Sequence, residues 1–583
     1  MEKKLAVERT ARNLKVPVLK PPVRKKGGLI TMPFIIANEA FEKVASYGLI
    51  QNMIFYLMKS YGIGVAKGAN ILFLWSAATN FMPLVGAFIA DSFLGRFLTI
   101  CLGCVSSLSG SILLWLTAMI PKSRPPTCDL ASRMICQTAT SGQLTMLLSS
   151  FALMSIGAGG IRPCSLAFGA DQLDDKANPN NERVLESFFG WYYAAGAAAV
   201  LVAFTGVVYI QDHLGWKVGF GVPAILMLLS ATLFVIASPF YLKQKASKSL
   251  ITGLAQVPVA AFRNRRLPIL DQYSLYHTRK CSHHTKPSDK LRFLNKACMI
   301  RNEEEEVASD GLAKNPWKLC TVNQVEELKA LIRVVPIWLS CIMLSINTSQ
   351  NTFPVLQASS MNRHLTSSFK IPAASFGMFT IIALGLWIVL YDRAILPLAS
   401  KIRGKPVQIG VKLRIGIGLL FSFLAMVVSG TVENIRRRRA ISEGYLNNPT
   451  AVVNMSAMWL IPQYCLHGLA EAFNAIGQTE FYYSEFPKSM SSIAACLFGL
   501  GMAVANLLAS AILHYVNKIT SSGGGESWVS DNINKGRYDS YYWLLAVMTL
   551  IDLPIFFICS WLYGPCKNHD QSHVREEDEV DES

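Results

Sequence analysis

Charge is what this sequence has least of. Asp, Glu, Lys and Arg make up 16% of its 583 residues, where soluble domains carry about 25%. A chain that is also 51% hydrophobic, with a mean hydropathy of +0.33, suits lipid better than water. Its thirteen cysteines offer no paired CxxC set of the metal-binding kind. Nucleotide-binding glycine loops and nucleophile motifs are missing too, which argues against an enzyme. The first thirty residues hold no apolar stretch and no small-residue cleavage site, so a removable signal peptide is not expected.

What charge there is lies in particular places. The net charge of +17 would suit nucleic acid, but the cations crowd the N-terminal stretch, the middle and short connectors. Lys3, Lys4, Arg9, Arg12, Lys15, Lys20, Arg24, Lys25 and Lys26 all precede the first apolar run. That is the positive-inside pattern of a polytopic membrane protein with a cytosolic N-terminus.

About twelve apolar stretches of spanning length follow. Six lie near 31–58, 68–90, 97–120, 142–168, 187–210 and 218–242. Six more lie near 326–350, 372–396, 410–432, 451–481, 489–516 and 538–563. The expected fold is all-α, with twelve transmembrane helices in two six-helix bundles, the outline of the major facilitator architecture. It divides into a basic tail 1–30, a first bundle 31–242, a cytosolic linker 243–323, a second bundle 324–565 and an acidic cytosolic tail 566–583. Within the linker, Leu250 to Phe262 reads as an amphipathic helix on the inner leaflet or as a loose connector. Cys128 and Cys136 sit in a polar outer loop where a disulfide could form. The run Arg436–Arg439 follows the ninth span on what should be the outer side, against the charge rule.

Ionisable residues inside spans normally face a bundle interior and have a task. Glu39, Glu42 and Lys43 share one face of the first helix. Arg162 lies deep in the fourth span and Glu471 deep in the tenth. His467 precedes Glu471 by one turn, where it either shares that proton or packs. Between the second and third spans, GAFIADSFLGR holds Gly86, Asp91, Gly95 and Arg96, a turn suited to gating, in which Asp91 and Arg96 pair with each other or with neighbouring helix ends. Thr99 stands in an Arg-x-x-Thr context a kinase could read, or is a buried helix-start residue. Asn454-Met455-Ser456 is a glycosylation sequon close to the membrane.

Four of these motifs, in order, resemble the proton-dependent oligopeptide transporter family, whose plant branch is the nitrate/peptide transporter family. They are Glu39-x-x-Glu42-Lys43, the Gly86–Arg96 segment, Gly159-Gly160-Ile161-Arg162-Pro163 with Phe168-Gly169-Ala170-Asp171-Gln172, and Phe188-Phe189-Gly190-Trp191-Tyr192-Tyr193. The resemblance implies proton coupling through Glu39, Glu42 and Lys43, and substrate binding by Lys43, Arg162 and Thr348. It also implies a salt bridge between bundles from Arg162 to Glu471. Two places depart from the pattern. Ala197 stands where the fifth-span motif has Asn, and Thr348 where some nitrate-transporting relatives hold the anion on a His.

The expected activity is proton-coupled symport, with low-affinity nitrate uptake across the plasma membrane first. The alternatives are a carrier of an organic anion, plant hormone or dipeptide, or a nutrient sensor on a transporter fold. The expected partners are protons, the small solute, the bilayer and a kinase. A proton gradient takes the place of any cofactor.

Overall fold

The computed structural model describes residues 26–126, 138–175, 178–244, 250–266, 276–278, 286–308, 311–404, 409–522 and 524–566. The Cys128–Cys136 bridge, the cations before Lys26 and the acidic tail lie outside the described residues.

The apolar runs fold into twelve long helices. In the first half they are α1 (Met32–Gln51, resuming as Met53–Tyr61), α2 (Val65–Leu94), α3 (Arg96–Met119), α4 (Ser141–Leu173), α5 (Asn181–His213) and α6 (Gly215–Ile236). In the second half they are α7 (Val322–Ser340, then Ile342–Ser359), α8 (Ala373–Arg403), α9 (Val411–Ser442), α10 (Ile461–Glu485), α11 (Ser491–Ser521) and α12 (Tyr538–Tyr563). Among the described residues, nine are individually long and apolar enough to span a bilayer, and α7 makes a tenth when its halves, bent by 45°, count as one. The two that fall short are α1, with Glu39, Glu42 and Lys43, and α10, with His467, Glu471, Glu480 and Glu485. Both carry several ionisable residues within their length.

Local chemistry sets the ends and breaks. Thr140 with Gln143, and Thr321 with Gln324, form reciprocal capping boxes at the starts of α4 and α7, satisfying donors a helix start leaves bare. Pro336, inside α7, has no N–H to give the previous turn; the helix breaks at Cys341, more than a turn later. A short parallel strand pair, Met361–Asn362 with Val453–Ser456, ties the end of α7 to the start of α10.

In the first bundle α3 packs on α4 and α6, α2 on α4, and α1 on α5 and α6. In the second, α9 packs on α10 and α12, α8 on α10, and α7 on α11 and α12. The seam between bundles is mainly α2 against α11, with α5 against α8. Counted as twelve alternating helices, the described residues put the start of α1 and the end of α12 at one end, called here the terminal face; the other is the far face.

The glycines of the fourth span bring backbones into contact. A Cβ on Gly86 of α2 would lie 1.8 Å from the carbonyl oxygen of Gly159, so the two helices touch main chain to main chain. The substitution G86A therefore forces α2 and α4 apart. We expect it to destabilise the folded protein by about 3 kcal/mol, read as a lower melting temperature in detergent; melting like the parent would refute the close contact.

The arginine run has a structural answer. α9 continues past the apolar zone, and Arg436 turns inward to a bidentate pair with Glu433 at 2.7 and 2.8 Å, both residues wholly buried. Gln357 of α7 donates to the same carboxylate at 2.7 Å. The remaining guanidinium donors hold the segment before α12, reaching Asn534 Oδ1 at 2.8 Å and the Ile533 carbonyl at 3.0 Å. Arg437 adds a bond to the Gly536 carbonyl at 2.8 Å. Charge is tolerated here because it is paired inside the bundle.

The stretch Leu250 to Phe262, expected as an inner-leaflet helix or a loose connector, lies in a helix, Leu250–Arg263. Val257, Ala260 and Ala261 of this linker helix are buried against Leu294, Ala297, Cys298 and Cys320, all from the linker's own second half or the approach to α7. One apolar side therefore has a protein partner, while Val259 and Phe262 are exposed. Burial pushes the Cys298 and Cys320 thiols up to about 12, so both are protonated packing residues.

Candidate functional site

The 3.6-residue repeat puts Glu39, Glu42, Lys43 and Ser46 on the side of α1 that faces α4 and α5. Glu39 is 4% exposed and Glu42 1%. Lys43 reaches back one turn to Glu39 at 3.2 Å, under the ring of Tyr192, whose centroid is 5.9 Å away. Gly196 of α5 makes room for it, since a Cβ there would lie 2.7 Å from Lys43 Nζ. Arg162 crosses from α4 to Glu42 at 3.4 Å and to Ser46 Oγ at 3.2 Å. The second oxygen of each glutamate, Oε2, is buried without a protein partner. Each carboxylate thus has one oxygen in an ion pair and one able to take a proton.

Between the bundles lies a cavity of about 310 Å³, lined by Glu42, Arg162, Thr348, His467 and Glu471 among others. Amide side chains of Asn347, Gln463 and Asn506 also face it. It carries one cation, two carboxylates and a ring of neutral hydrogen-bonding groups, which suits a polar solute; an anion fits once a carboxylate is protonated or moved.

Several expectations change in detail. Arg162 and Glu471 do not pair: Arg162 is taken by Glu42 within its own bundle, and Glu471 has no ionic partner among the described residues, the cavity lying between them. Lys43 and Glu39 do not line this cavity, because the ammonium folds back to Glu39 behind Tyr192. Thr348 does line it, but its hydroxyl donates to the Leu344 carbonyl at 3.1 Å, leaving lone pairs rather than a proton for a solute. The Nδ1 of His467 is buried with no partner.

The gating turn is built around Gly95, at φ 77°, a conformation that favours glycine. Asp91 and Arg96 do not pair with each other. Arg96 instead bonds Asp171 at the end of α4, at 2.5 Å, joining two of the motifs. Thr99 is 5% exposed and its hydroxyl donates to the Gly95 carbonyl. A kinase has no access to it in this conformation, so the regulatory reading is withdrawn for the buried one.

Sequence reasoning missed Ser46, although it lies one turn after Glu42 on the same face. It missed the clearance at Gly196, which only the packing of α1 on α5 reveals. It also missed the amides around the cavity, each an ordinary helix residue in one dimension.

The comparisons agree over nearly the full length. The PTR2 profile of the POT family matches residues 97–529. The chain is 64% identical over 568 residues to the NRT1/PTR family 1.2 protein of Arabidopsis thaliana, covering 96% of this chain and 94% of that one. It is 63% identical over 565 residues to the NRT1/PTR family 1.1 protein of the same plant, covering 95% of each. Among solved structures, the POT family transporter PepTSo superposes with a TM-score of 0.67 at 18% identity, covering 92% of this chain and 98% of that one. A helical bundle pair with its ionisable residues turned inward, matched end to end by plant relatives, leaves one conclusion: the chain belongs to the POT family, beside its NRT1/PTR members, and is a membrane transporter rather than an enzyme.

Proposed function

We propose that this transporter is a proton-coupled symporter of a small anion, with nitrate as the first substrate to test. In this reading it sits in the plasma membrane, with both tails and the linker 243–323 in the cytosol and the far face outside. The carrying observation is the state of Arg162, held by Glu42 at 3.4 Å in the cavity wall. A proton on Glu42 removes the negative half of that pair. The guanidinium, which stays charged at any working pH, then needs another anion, and a solute in the cavity supplies it. Glu471, unpaired on the opposite wall, disfavours an anion until it too is protonated or moves toward Arg162. Occupancy by proton and anion thus shifts the two bundles between their open states. Each net positive charge moved inward gains about 2.3 kcal/mol per 100 mV of membrane potential.

Expressed in oocytes under voltage clamp, the chain should give an inward current on adding nitrate at about pH 5.5 that fades at about pH 7.4, since the coupling protons are lost as pH rises. No current, with the protein demonstrated at the surface, would remove nitrate.

One observation favours a second substrate class. A volume of about 310 Å³ falls at the lower end of the range for organic-ligand sites, about 300–1,000 Å³, and is roomy for nitrate. An organic anion with several hydrogen-bonding groups would use Asn347, Gln463 and Asn506 as nitrate cannot. Uptake of labelled organic acids and dipeptides at acidic pH separates the two.

A further inference from the structure

The first turn of α2 has no acidic residue and no side-chain cap of its own, because its N-cap residue is Gly64. A helix start leaves backbone donors bare, and an uncapped one is weaker. Here the cap comes from the other bundle. Asp531, in the segment between α11 and α12, accepts from the Val65 N–H at 2.6 Å. Its carboxylate comes so close that a Cβ on Gly64 would lie 2.7 Å from Oδ1. The negative charge also sits at the positive end of the helix dipole.

Asp531 is not on a free loop. Its neighbours Ile533, Asn534 and Gly536 are the groups fixed to α9 by Arg436 and Arg437. Asn532 and Asn534 donate to the carbonyls of Leu446 and Tyr445 at 2.9 and 3.1 Å, and Tyr538 donates to the Ser530 carbonyl at 2.7 Å. The strap from Ser530 to Arg537 therefore moves with the second bundle. About one and a half turns further along the seam, Ser510 of α11 donates to Asn70 of α2 at 2.9 Å. Among the described residues, both hydrogen bonds from α2 to the second bundle lie near the far face.

We propose that Asp531 is a positioning residue for transport: it caps α2 across the bundle interface and holds the two bundles together on the far side of the cavity. Opening that side parts α2 from α11, so it must break the Asp531–Val65 bond. The buried Glu433–Arg436 pair serves this latch by anchoring the strap that carries it. The inference is independent of the transported solute.

Its test reads access rather than uptake. Gln51 lines the cavity on the far part of α1, and a Q51C reporter is labelled by a membrane-impermeant thiol reagent. The reagent is applied to intact cells and to inverted vesicles in turn, so that the experiment itself identifies the far face. The chain with Gln51 intact serves as the blank for native cysteines. Adding D531A should raise the labelling rate from the far face about fivefold, the population shift for one lost cap. D531N, which keeps an oxygen acceptor and loses only the charge, should raise it about twofold by removing the dipole contribution. Asp531 is exposed, so neither change removes core packing. An unchanged rate in both variants, each at the parent's level in the membrane, would overturn the latch.

Discussion

Glu42→Gln is expected to abolish proton-driven uptake, lowering it by about a hundredfold or more, while folded protein still reaches the membrane. Glutamine matches the shape of the side chain and can bond Arg162 through its amide oxygen, but it can neither bind nor release a proton in the working range. The guanidinium therefore loses the carboxylate it is bonded to in this conformation, and its release is no longer tied to protonation. What uptake remains should lose its dependence on external pH, because the group that sensed it is gone. The measurement is uptake against pH, normalised to surface protein. Parent-like uptake that rises on acidification would remove Glu42 from the coupling role. Glu39 is the weaker alternative, since its partner Lys43 is on the same helix and faces away from the cavity.

The second large effect falls on stability. Glu433→Gln leaves Arg436 wholly buried with its charge uncompensated. Breaking one side of such a pair costs about 3–5 kcal/mol, whereas replacing both members with apolar groups is often neutral. The melting temperature of the purified protein should drop by about 10 °C on the scaling for large domains. The double change to E433L and R436M should recover much of that loss. A single mutant that melts like the parent would mean that water or another acid compensates the guanidinium.

Much of the fold was legible because the bilayer imposes a simple rule: long apolar runs become helices, and their number and spacing give the two bundles. Glu39, Glu42 and Arg162 were legible for the complementary reason, as charge in lipid needs a purpose. Their partners were less so. Arg162 has two acids within plausible reach, and choosing Glu42 over Glu471 depends on how widely the bundles are separated, which no spacing encodes. The arginine run shows the same limit. Arg436 breaks the topology rule in one dimension and obeys pairing in three, because Glu433 precedes it by one turn. The cover on one side of the linker helix was not legible, because it comes from a polar stretch with no periodic signal.

The uneven polarity of the helices bears on how the protein is made. α1 enters the membrane first, and it is among the helices least suited to enter alone. Glu39 and Lys43 neutralise each other within the segment, so they can be inserted together. Glu42 has no such companion until α4 delivers Arg162, more than a hundred residues later in synthesis. An unpaired acid at the centre of a spanning helix costs about 2.5–3.5 kcal/mol, and Arg162 is the partner that offsets it in the finished fold. The carboxylate that the proposal makes the proton switch of transport is thus also the group that ties the retention of the first helix to the arrival of the fourth.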